Sequence, residues 1–111
     1  MKIVYDKLVR DGIPRILEKE NKVCSYRVAN KEEYPAYLKK KLQEEVDEFL
    51  ESPCIEELAD IAEVLEHLAL IVGGNPGQVG VAMRYKSYER GKFLKGYILE
   101  SVGKDEEEDQ E

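Results

Sequence analysis

Five carboxylates at helical spacing carry the chemistry of this chain. Glu44, Glu45 and Glu48 fall in "EEVDE", and Glu57 and Asp60 fall in "ELAD". The intervals 45/48 and 57/60 are each i, i+3, so both members of a pair lie on one side of a helix. At about 100° per residue, Tyr34, Leu38, Leu42, Glu45 and Phe49 share a face, with Glu48 at its edge and Glu44 and Asp47 turned further towards solvent. Glu57 projects between Ile61, Val64 and Leu68, and Asp60 stands beside Val64. An isolated carboxylate facing a core is costly to ionise, so its pKa rises unless positive charge adjoins it. The countercharge is either Lys and Arg side chains or a hard divalent cation. Oxygen ligands alone, with no Cys or His at ligand spacing, favour Mg²⁺ or Mn²⁺ over zinc. A lone EExxE is most often a solvated helix face. Two acidic pairs on the inward sides of consecutive antiparallel helices favour a metal site.

The elements that must position these acids follow from caps and breakers. Asn30 and Glu33 form a capping-box pattern ahead of a helix expected over 31–51, with Pro35 in its first turn. Ser52 and Pro53 read as N-cap and N1 of a second helix reaching Val72. So short a junction predicts an antiparallel hairpin that turns one acidic pair towards the other. "GGNPGQ" stops the second helix and restarts a third, with Asn75, Pro76 and Gln78 at N-cap, N1 and N3 and an end near Arg90. Pro14 opens a short helix over about 13–20. The alternation in "KVCSYRVA" (22–29) and the segment "KFLKGYILE" (92–100) predict two short strands that pair. The expected fold is mainly α: an antiparallel helical hairpin or bundle with short β-strands near both ends.

A chain of 111 residues accommodates one domain, expected over 1–102, followed by a disordered acidic tail over 103–111. The formal net charge is -7, but "KDEEEDQE" at the end holds a large share of it, so the body has no basic excess and nucleic-acid binding is not expected. Cys24 and Cys54 form no CxxC pattern, the first residues lack the apolar run of a signal peptide, and no stretch is long enough to span a bilayer. A cytoplasmic location without a membrane partner is expected. The apolar arc of residues 55–72 is wider than one small subunit covers, which predicts a homodimer or homotetramer.

A carboxylate-bridged di-iron bundle needs ExxH on two helices. The single histidine is His67, and Val64 stands three residues before it, so that class fails on ligand count. The order "EEVDE" then "ELAD" instead resembles the EExxE and ExxD signature of the MazG-like all-α nucleoside triphosphate pyrophosphohydrolase superfamily. "YDKLVRDGIP" (5–14), "EYPAYLKKKLQEEVDEFLE" and "YERGKFLKGYILE" are similar to its phosphoribosyl-ATP pyrophosphohydrolase-like branch, and the likeness covers about residues 3–100.

That resemblance implies Glu45, Glu48, Glu57 and Asp60 as Mg²⁺ ligands, with Glu44 an outer-shell residue or water-orienting base. Glu44 and Glu45 are thereby the catalytic candidates. The implied reaction is attack of water at the α/β-phosphoryl link of a nucleoside triphosphate, giving the monophosphate and pyrophosphate. Acids alone cannot grip a triphosphate, and the basic candidates are Lys7 and Arg10 in "DKLVRD" with Lys86 and Arg90 in "RYKSYERG". Phosphoribosyl-ATP hydrolysis in histidine biosynthesis is the enzymatic alternative, and a non-catalytic nucleotide-binding regulatory module is the alternative of another class.

Overall fold

The computed structural model describes residues 2–104, so most of the acidic tail, from residue 105 on, lies outside the described residues. Four helices follow one another: α1 (Ile13–Lys19), α2 (Tyr34–Glu51), α3 (Ile55–Ile71) and α4 (Pro76–Arg90). The chain divides into two compact units, Met1–Gly80 and the residues from Val81 on, with α4 running through the division. No helix among the described residues is long and apolar enough to cross a membrane.

Local chemistry accounts for most helix ends. The Asn30 side-chain oxygen accepts the N–H groups of Glu32 (3.1 Å) and Glu33 (2.9 Å), and the Glu33 carboxylate returns to the Asn30 N–H at 3.0 Å. This reciprocal box satisfies donors that an open helix start leaves orphaned. Ser52, expected to cap α3, closes α2 instead, its N–H donating to the Glu48 carbonyl at 2.9 Å. Proline disfavours the helical region for the residue before it; Ser52 leaves that region at ψ 78° and Cys54 is extended, so α3 begins only after Cys54. Gly73 takes φ +87°, which a Cβ would strain, and lets the Gly74 N–H reach back to the Ala69 carbonyl at 2.9 Å. Asn75 then caps α4 through the Gln78 N–H at 2.9 Å, and Gly91 ends that helix at φ +84°.

The first unit is built on α2 packed against α3. Only three residues join the two helices, and Glu45 meets Glu57 and Asp60 across the turn, so the pair is antiparallel. Leu38, Val64 and Ala69 are buried along the seam, with Leu42, Phe49, Ile61 and Leu68 half-buried beside them.

The two expected strands do not form, and among the described residues there is no sheet. A strand exists through hydrogen bonds to a neighbour, and neither 22–29 nor 92–100 joins a ladder. In the first segment alternation does not become burial: Val23, Tyr26 and Val28 are all exposed. In the second, Gly96 at φ +64° donates to the Phe93 carbonyl and turns the chain back on itself.

Candidate metal centre

The acid cluster sits where the helical period brings carboxylates of α2 and α3 to one stretch of the seam. Glu45, two turns after Leu38, is only 5% exposed. One carboxylate oxygen each of Glu45, Glu57 and Asp60 lies within 4.8 Å of the other two. Glu48 stands outside this group and is exposed. The edge of a helix face is where small rotations decide between core and solvent, and here Glu48 reaches solvent.

Three cations close around these acids. Lys41, one turn before Glu45, approaches it at 3.1 Å and donates to Glu44 at 2.8 Å. Lys7 reaches the other Glu44 oxygen at 2.9 Å. Arg10 donates to Asp60 at 2.8 Å and lies 3.6 Å from Glu63. The segment before α1 is anchored once more by Tyr37, whose hydroxyl donates to Asp6 at 2.8 Å. Asp6 holds φ +46°, a left-handed conformation uncommon outside glycine.

These contacts set the charge states. Burial pushes the Glu45 carboxyl up, Lys41 counters it, and the charges of Glu48 and Asp60 add to the rise, which prevails. Glu44 goes the other way: burial would raise it, but the hydrogen bonds from Lys41 and Lys7 hold it below the usual carboxylate range. Burial alone would lower Lys41, yet its two carboxylate partners raise it. Arg10 is raised chiefly by its hydrogen bond to Asp60.

Two atoms remain without partners. Glu45 Oε2 and Glu57 Oε2 are buried and accept no hydrogen bond. A buried carboxylate oxygen lacking a donor is costly. A divalent cation satisfies such atoms, and an all-oxygen set suits Mg²⁺ or Mn²⁺. One carboxylate oxygen of each of the three acids already lies within 4.8 Å of the others, and the two buried Oε2 atoms hold no hydrogen-bond donor that an ion would have to displace. The residues present therefore fit such an ion.

Beside the cluster a pocket of about 120 Å³ is lined by Asp6, Lys7, Leu8, Tyr37, Lys40, Lys41 and Glu44. Lys40 lies over the Tyr37 ring at 5.6 Å and Lys7 over the Tyr5 ring at 5.4 Å. The other two basic candidates, Lys86 and Arg90, are exposed on the part of α4 that belongs to the second unit.

Sequence reasoning passed over Lys41 and Glu63. Lys41 was within reach, because Lys at i−4 and i−3 from two glutamates forms ion pairs along one helix. Glu63 meets Arg10 only through the fold. Comparison with protein-family models, with curated proteins and with solved structures gives no match to this chain.

Proposed function

We propose that this protein is a Mg²⁺-dependent nucleotide pyrophosphohydrolase of the MazG-like kind, cleaving the α/β link of a nucleoside triphosphate to the monophosphate and pyrophosphate. The observation that carries the reading is the buried, unpartnered oxygen of Glu45 within the Glu45, Glu57 and Asp60 group. These three residues would hold the ion, with Glu48 free to approach from solvent. When bound, the ion supplies Lewis acidity that activates water and offsets charge on the phosphates.

The chain's own side chains supply the remainder. Glu44 is held between two ammonium groups, and its lowered pKa makes it a weak proton acceptor, so its role is to orient water and the lysines. Lys7 and Arg10 would bind phosphate in the first unit, and Lys86 and Arg90 are the phosphate-binding candidates of the second. A homodimer or homotetramer is part of the reading, motivated by the outward side of α3, where Ile55 is 76% and Val72 82% exposed. Its setting would be the cytoplasm.

The test is pyrophosphate release from a panel of standard and modified nucleoside triphosphates and phosphoribosyl-ATP, with and without Mg²⁺. Mg²⁺-dependent release from a triphosphate is the expected result. Turnover of phosphoribosyl-ATP alone would move the protein to the histidine-biosynthetic reaction. Mg²⁺-dependent nucleotide binding without turnover would make it a regulatory module.

A further inference from the structure

We propose that Lys7 and Arg10 are exchangeable counter-ions: they neutralise Glu44 and Asp60 at the edge of the acid cluster until a divalent cation arrives, and are then handed over to phosphate. The inference rests on the metal reading above and adds a direction to it, namely that the same two residues oppose the bare ion and favour the ion with its anionic ligand.

The geometry behind it is a straddle. Residues 2–10 have no regular secondary structure, yet Lys7 and Arg10, three residues apart, reach different helices. Lys7 binds Glu44 of α2 at 2.9 Å, and Arg10 binds Asp60 of α3 at 2.8 Å with Glu63 at 3.6 Å. The segment therefore bridges α2 and α3. Its remaining anchor is Asp6, held by the Tyr37 hydroxyl at 2.8 Å.

Asp60 cannot serve two cations without cost. It belongs to the group that fits a divalent ion and is also the hydrogen-bond acceptor for Arg10. An ion on Asp60 places a double positive charge beside the guanidinium, so the contact with Arg10 weakens as the ion binds. Both Arg10 and Lys7 are about half exposed, at 53% and 40% of their side-chain surface, so they swing outward without breaking a packed core. Lys7 already lines the pocket that Lys40 and Lys41 share, where a phosphate group would meet ammonium groups on more than one side. A guanidinium released from a carboxylate keeps its donor fork, which matches phosphate equally well.

The consequence is a sign reversal that a purely structural salt bridge does not produce. The experiment is calorimetric titration of the full chain with Mn²⁺ alone, then of the Mn²⁺-saturated protein with inorganic tripolyphosphate, which carries no base. Arg10→Gln and Lys7→Gln are the test variants. Arg27→Gln, whose partner Glu33 precedes α2, removes the same charge from another place. Arg10→Gln is expected to bind Mn²⁺ about three- to tenfold more tightly than the unmodified chain and tripolyphosphate about tenfold more weakly, with Arg27→Gln near unity in both. Lys7→Gln follows in the same directions by a smaller factor and keeps the test open if Arg10→Gln fails to fold. Amide exchange over residues 5–10 should quicken when Mn²⁺ is added. Unchanged or weaker Mn²⁺ binding in both variants overturns the exchange while leaving the metal centre standing. Tighter Mn²⁺ binding with unchanged tripolyphosphate affinity also overturns it, because nothing then receives the freed cations. No Mn²⁺ binding by the unmodified chain overturns the metal centre and the exchange together.

Discussion

The two long sides of α3 solve opposite problems. Towards α2 it carries Glu57 and Asp60 beside Val64, and there the charges find cations from the same chain: Arg10 on Asp60, and Lys41 on neighbouring Glu45. On its other side Ile55, Leu58, Ala62, Leu65 and Val72 recur at helical spacing, and all are exposed. Polar demand is nearly met within one chain, save for two buried oxygens, whereas apolar demand is largely unmet. Charges are satisfied by single, directional partners that a segment without regular secondary structure can supply, while burying a stripe of apolar surface needs a second surface of comparable size. The unmet atoms on the first side ask for something as small as an ion. The unmet stripe on the second asks for something as large as another helix.

The comparison is broken most severely from the acid side. Glu45→Ala and Asp60→Ala each remove a member of the three-carboxylate group, and Mg²⁺-dependent pyrophosphate release should fall by on the order of 100-fold or more. Activity within a factor of two of the unmodified protein in both variants would mean that the ion sits elsewhere. The outward stripe gives the next effect. Leu58→Arg combined with Leu65→Arg should reduce the mass seen by light scattering to that of one chain, and the same mass before and after would show that this stripe is not the subunit contact.

A third measurement joins stability to the site. If the three acids hold Mg²⁺ as proposed, saturation at about 100 times its dissociation constant should stabilise the native state by about 2.7 kcal/mol, which for a chain of this size is a rise of roughly 10 °C in Tm. Glu45→Gln should lose most of that rise, because a neutral amide is a poor ligand for a hard cation. A full Mg²⁺-induced rise in Glu45→Gln would remove Glu45 from the ligand set.

The smallest effect lies away from both sides of α3, at the start of α2. The hydrogen bonds from Arg27 and from the Asn30 N–H hold Glu33 down to about 2 from an ordinary value of 4.5. A carboxyl lowered in the folded state stabilises above its unfolded pKa, and that contribution disappears as pH falls from about 4.5 towards about 2. Glu33→Gln should therefore melt about 2 °C lower at pH 7 in a surface pair so exposed, and match the unmodified chain near pH 2. A gap that persists at pH 2 would assign the loss to the capping geometry rather than to charge.

How far the sequence reaches depends on the range of the interaction. Helices α1 to α4 follow from periodicity, prolines and glycines, because caps and i, i+4 contacts are local. The place of Glu45 within an apolar stripe is legible for the same reason, and so was the unnoticed pairing of Lys41 with Glu44 and Glu45. Residues 22–29 and 92–100 misled because alternation says which side of a strand would be buried, not whether a partner strand is there. Ser52 misled through the chemistry of its neighbour: both N-cap and helix end are open to a serine before proline, and α2 claimed it.

By itself, then, the sequence determined four helices, a tight turn between the second and third, and a run of acids placed to face one another, since each depends on residues within about one helical turn. Tertiary structure alone decided that Glu48 turns outward while Glu45, Glu57 and Asp60 converge, that Glu63 meets Arg10, and that residues 7 and 10 straddle the hairpin. Arg10 and Asp60 are 50 residues apart, and only the packing of the chain fixes which distant cation a carboxylate meets.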